Sequence, residues 1–231
     1  MPEPSAKPPE AAPAMAPEPT PGSPLARPPL PSSGSSGGFE LVVAEYAYVA
    51  QTAFQANEDR ARASQLFLVT FATLIAAIYS SQLDPARVSI VEVQRVFVGL
   101  FLLIALHGGL TLLQLAKLRL AWMSSITGLN RIKARASELR PELAGCFAWS
   151  DADRPPLLAW WSVGFLQALA VAALTGIAAG AAAGFWSLLD SPAEPSWSAS
   201  LVAAVLTAPS AIGLCYILPL ARAAGREPAS A

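Results

Sequence analysis

The sequence predicts an all-α integral membrane bundle of four transmembrane helices, and three observations predict it. Four long apolar runs contain no Asp, Glu, Lys or Arg. Charged residues make up 13% of the 231 positions, against about 25% in soluble domains, and they are confined to the stretches between the runs. The basic residues in those stretches alternate in number, as the positive-inside rule requires of a chain that crosses a bilayer repeatedly.

The first 38 residues precede any run. They hold 12 of the 21 prolines and end in Ser and Gly at 32–38. Such a segment buries too little apolar surface to offset its ordering entropy, so it reads as a disordered tail with polyproline II character. It has no apolar core of the length a secretory signal needs. Within it, Arg27-Pro28-Pro29-Leu30-Pro31 suits an aromatic groove on a cytoplasmic protein partner; a solubilising tail is the plainer reading.

Residues 39–63 predict an amphipathic cytoplasmic helix. Positions 39–62 lack Gly and Pro, and Val42, Tyr46, Val49, Ala53 and Ala56 recur at helical spacing towards Leu66. The helix continues into the first span, 64–83. At that boundary stand Asn57, Glu58, Asp59, Arg60 and Arg62. Their charges are expected to pair along the helix or across to Arg131 and Lys133. They read either as a binding or switching point or as arginines among anionic headgroups. An external loop, 84–95, leads to the second span, 96–116, whose His107 is the chain's one histidine. An ionisable group at that depth is a functional candidate, although the spans offer it no charged partner; a neutral, packed His is the alternative.

Residues 117–156 predict a second cytoplasmic helix and a turn. Leu118, Trp122, Ile126, Leu129 and Ile132 form its stripe, and Pro141 stops it. The first two spans are antiparallel neighbours, so their extensions should form a cytoplasmic helical hairpin. The third span, 157–185, carries Ala168, Ala172, Gly176, Gly180 and Gly184 at four-residue spacing. Small residues on one face let two helix backbones approach closely in lipid, either within the chain or between copies in a homo-oligomer. An external loop, 186–198, is acidic and bracketed by Trp186 and Trp197. The fourth span, 199–221, contains Pro209, a candidate hinge, and a cytoplasmic tail, 222–231, follows.

Lys and Arg number four before the first span, two in the first loop, seven in the middle stretch, none in the last loop and two in the tail. Both termini are therefore expected in the cytoplasm.

Residues 54–62, Phe-Gln-Ala-Asn-Glu-Asp-Arg-Ala-Arg, together with Asn130-Arg131-Ile132-Lys133, Pro141-Glu142-Leu143 and Phe147-Ala148-Trp149, resemble those of uncharacterised bacterial four-span membrane proteins. More distantly, the helix-into-span layout is similar to SLATT-type and RipA-like membrane proteins. The resemblance covers roughly 41–189 and rests on layout. It implies a bacterial inner (plasma) membrane and, as one role, an oligomeric, pore-forming effector, and it carries over no catalytic residue.

Other classes fit poorly. The net charge of −1 gives no field for nucleic acid. One His and two Cys 69 positions apart give no metal spacing, and no cofactor is expected. Phosphate-loop, nucleophile-elbow and zincin motifs are missing, so no enzyme is predicted. The expectation is a self-associating structural or interaction protein embedded in the lipid bilayer; alternatively, a pore or channel gated through the hairpin.

Overall fold

In the computed structural model, residues 36–80, 89–147, 153–190 and 196–226 are described. Residues 1–35 of the tail predicted at 1–38, residues 81–88 (the end of the predicted first span and part of the predicted first loop), 191–195, 148–152 and the last five residues lie outside them. The described residues are helical with no strand. Four of the helices are long and apolar enough to cross a membrane.

Helix α1 spans Ser36–Ser80 and α2 spans Ile90–Leu139. At 1.5 Å per residue they measure roughly 65–75 Å, about twice the ~30 Å hydrocarbon thickness. They run antiparallel. Phe67 lies against Gly108, and Val49 lies against Gly128, where an added Cβ would sit 3.5 Å from the Val49 Cγ1. The buried stripe of α1 is Ala53, Ala56, Ala63 and Phe67, the last fully buried. Val42, Tyr46 and Leu66, expected on that stripe, are exposed. On α2 the buried line is Leu112, Leu115, Arg119, Met123 and Leu129; Leu129 was expected there, while the expected Leu118, Trp122 and Ile126 lie to one side of it and are half-buried. Arg140, pushed to extended backbone before Pro141 (φ −139°, ψ 90°), ends α2, and a 3-10 turn follows at Pro141–Cys146.

Helix α3 spans Val163–Asp190, so the third helix begins six residues later than the charge-free run at 157. Pro155 and Pro156 precede it, and Trp161 adopts φ 66°, a left-handed conformation that a helix cannot contain. Ser162 then caps the new helix, accepting from the Phe165 N–H at 3.2 Å. Helix α2, by contrast, starts inside the predicted 84–95 loop. Helix α4 spans Trp197–Ile212 and is capped by Ser196, which accepts from the Ala199 N–H and whose own N–H donates to Ser187 Oγ on α3. A π-turn at Gly213–Ile217 leads into α5, Leu218–Ala224.

Helix α3 is central. In its most apolar window 44% of residues are buried within the chain, against 11% for α1 and for α4–α5. Phe67, Leu112, Leu115, Val171 and Leu220 fill the core. Leu102, Leu103, Leu106 and Leu110 on α2, and Leu201, Val202, Val205 and Leu206 on α4, stay bare. Flanks of this size are costly in water and cost nothing among acyl chains.

Candidate functional site

The small residues of α3 meet the chain's own α4. An added Cβ on Gly176 would stand 2.7 Å from the Ala204 carbonyl oxygen and 2.8 Å from the Ala208 Cβ. On Gly180 it would stand 2.7 Å from the Ser200 carbonyl oxygen, and on Gly184 2.6 Å from Ser200 Oγ. Ala168 and Ala172 are buried on the same helix. The glycine face is thus occupied internally, and a second copy would have to use another surface.

His107 is half-buried, its ring 5.6 Å from that of Phe67, and its backbone carbonyl accepts from Thr111. Pro209 lies within α4, which continues past it to Ile212; the irregularity falls just beyond. There the Gly213 N–H is shared between the carbonyls of Pro209 and Ser210, and the π-turn rotates the following residues. Its product is Tyr216, turned inward and only 3% exposed. Wide turns of this kind are frequent at functional sites.

The charge cluster on α1 divides in two. Arg62 pairs outward with Glu58 at 3.5 Å and Asp59 at 4.0 Å, on well-exposed side chains. Exposed pairs of this sort contribute about 0–1 kcal/mol. Register decides against the expected pairing with Arg131 and Lys133. With Phe67 beside Gly108 and Val49 beside Gly128, residues 57–62 lie beside positions near Leu115, roughly 20 Å short of Arg131 at 1.5 Å per residue.

Arg60 turns the other way. It occupies the core line Ala53, Ala56, Arg60, Ala63, Phe67, at steps of three and four. Its Nη2 donates to Asn57 Oδ1 at 2.6 Å, while its Nε is buried without a partner. Its guanidinium lies on Gly164, where an added Cβ would come within 2.8 Å of Nη1. The facing arginine is Arg119, 8% exposed. Arg119 donates from Nη2 to the Pro156 carbonyl at 3.2 Å and from Nε, more weakly, to that of Leu157 at 3.5 Å; its guanidinium lies 4.7 Å from the Trp122 ring centroid. Arg119 lies beyond the charge-free run that ends at Ala116. Burial, and then the charge of Arg60, lower its pKa from the ordinary arginine value; the guanidinium stays charged at any physiological pH. The Tyr216 ring lies 6.5 Å from that of Phe165, the neighbour of Gly164. Gln167, one turn along α3 from Gly164, has a buried Oε1 with no donor.

Sequence reasoning assigned Arg60 to a membrane-boundary cluster and counted Arg119 as one of seven basic residues in a loop. It passed over Tyr216 and Gln167. The available signal was the position of each arginine on a three-four apolar spacing, where an unpaired cation is rare. Among the described residues no group of three or more His, Cys, Asp and Glu could hold a metal. No family model, no curated protein and no solved structure matches the chain.

Proposed function

We propose that the chain is a multi-pass protein of a bacterial plasma membrane, with both termini cytoplasmic, that displays the extensions of α1 and α2 as a paired stalk for protein partners. One observation carries the interaction reading. Leu41, Val43, Tyr48 and Phe54 are exposed on α1, well before its charge-free run at 64–83. In water such residues mark a protein-binding surface. Val49 lies against Gly128, so the two extensions touch there. The glycine face is spent on α4, so self-association is assigned to the stalk or to the bare flanks of α2 and α4.

A photo-crosslinking amino acid placed at Tyr48 or Phe54 in living cells tests this reading. A discrete adduct, either to a second copy or to another protein, is expected from both positions. A crosslinker at Ile177, exposed on the central helix, should give none. Adducts missing from both stalk positions would refute the reading. Steady ion conductance of the purified protein in planar bilayers would favour the pore instead.

A further inference from the structure

We propose that the groove between α1 and α2, where α1 enters its charge-free run, binds one phospholipid with a zwitterionic ethanolamine headgroup. The groove encloses about 570 Å³ and is lined by Asp59, Arg62, Gln65 and Leu66 of α1 and by Gln114 and Leu118 of α2. The inference rests on the membrane reading and not on the stalk. A chain that stays in the supernatant without detergent overturns both, whereas the lipid comparison below overturns the site alone.

The groove is polar at one end and apolar at the other. Asp59, Arg62, Leu66 and Val69 follow one another at steps of three and four, so they form one face of α1. Gln114 and Leu118, four apart, form the facing edge of α2. Phe67 on Gly108 and Val49 on Gly128 set the register, which brings Gln114 opposite Arg62. From Asp59 to Val69 the groove runs roughly 15 Å at 1.5 Å per residue. Half of that length precedes the charge-free run that begins at 64, and half lies within it. A ligand that fills it is charged at its outer end and apolar at its inner end.

Two amides mark the depth between those ends. Gln65 stands one residue inside the run that begins at 64, and Gln114 two residues inside the run that ends at 116. Both line the groove, and among the described residues neither side chain has a hydrogen-bond partner. A bare amide among acyl chains is unfavourable. The ester carbonyls of a glycerophospholipid lie just below its phosphate and would accept from both amides. Leu66, Val69 and Leu118 then flank the start of the acyl chains.

The charged end sets the class of lipid. Arg62 lies 3.5 Å from Glu58 and 4.0 Å from Asp59, so one cation stands beside two carboxylates. These pairs are exposed and hold weakly, and a ligand can exchange for them. An ethanolamine headgroup brings a phosphate for Arg62 and an ammonium for Asp59, and both contacts are charge-assisted hydrogen bonds. Phosphatidylglycerol brings the phosphate alone and leaves the carboxylates facing an anion. Phosphatidylcholine brings a cation with no N–H to donate.

The test uses the full-length protein, stripped of lipid in a neutral detergent. Thermal midpoints are measured against phosphatidylethanolamine, phosphatidylcholine and phosphatidylglycerol with identical acyl chains. Phosphatidylethanolamine is expected to stabilise with at least about fivefold higher apparent affinity than either of the others. Asp59→Asn should remove its advantage over phosphatidylcholine, and Arg62→Gln should remove its advantage over both. The two side chains are 39% and 73% exposed, so the variants should fold. Arg135→Gln, which breaks an exposed pair with Glu138 on the extension of α2, should keep the wild-type preference. O-phosphoethanolamine, the soluble headgroup, should give no shift; a shift equal to that of the lipid would assign a soluble ligand and overturn the proposal. Equal stabilisation by the three lipids would reduce the effect to general solvation and overturn it too. So would a preference that survives either variant in the groove or falls as far with Arg135→Gln.

Discussion

Gly180→Leu is expected to part α3 from α4 and to unfold most of the protein in detergent. A single added Cβ would already press to 2.7 Å from the Ser200 carbonyl oxygen and 2.9 Å from the Ala204 Cβ. The first of these is backbone, so no rotamer change removes the clash; the helices must separate. Overpacking by a few methylenes costs about 1–3 kcal/mol in a core that can adjust. Four extra carbons against a rigid carbonyl should reach the upper end of that range or exceed it. Separation would also release Ser187 from its hydrogen bond to the Ser196 N–H. Thermal unfolding followed by circular dichroism checks this, with Gly109→Leu as the control. Gly109 has open space where its Cβ would stand, and its variant should melt near the wild type.

Gly108→Ala should be nearly as damaging, for a different reason that makes it reparable. Its Cβ would collide with Thr175 Oγ1 and come within 3.1 Å of the Thr175 Cβ and 3.2 Å of the Phe67 ring. The obstacle is mostly one side chain, itself 2% exposed and hydrogen-bonded to the Val171 carbonyl. A loss of about 2 kcal/mol is expected, within the overpacking range. Thr175→Gly introduced with Gly108→Ala should recover part of it, and Thr175→Ala less, because the 3.1 Å contact to Cβ remains. The double-mutant cycle should return a coupling of about 1 kcal/mol or more, as residues in direct contact do. Additive losses would mean that α2 and α3 do not cross at these two residues.

These two crossings show where the sequence was legible. Charge-free runs located four helices because the bilayer reading needs only length and charge, and Pro141 located the end of α2 because proline removes a donor and constrains Arg140 before it. The glycine spacing located a close approach. It did not name α4 as the partner, since spacing describes one surface and not what lies against it. The third span was read from 157 to 185, starting six residues and ending five residues before α3 does; Leu157 to Ser162 are as apolar as the helix that follows, and the left-handed Trp161 separates them from it. The expected stripes on α1 and α2 hold at Ala53, Ala56 and Leu129 and fail at Val42, Tyr46, Leu66 and Leu118 for a physical reason. Among acyl chains a leucine gains nothing by facing a neighbouring helix, so large apolar side chains mark the outside as readily as the core. Small residues mark the packed line: Ala53 and Ala56, which the stripe included, and Ala63. Arg60 and Arg119 were hidden by the same rule that located the spans, which counts arginine as a residue of loops.

The claim on which the rest depends is that four helices cross a membrane, with the stalk and the basic segments on the inner side. Cys146 is exposed after α2, and Ser198 is exposed at the start of α4, at the opposite end of α3. Intact cells are treated with a membrane-impermeant maleimide in two single-cysteine proteins. One keeps Cys146 with Cys215→Ala; the other carries Ser198→Cys with both native cysteines replaced. Labelling of the Ser198→Cys protein in intact cells, with Cys146 reached only after permeabilisation, is the predicted result. Labelling of Cys146 in intact cells, or equal labelling of both in a protein that stays in the supernatant without detergent, would contradict it.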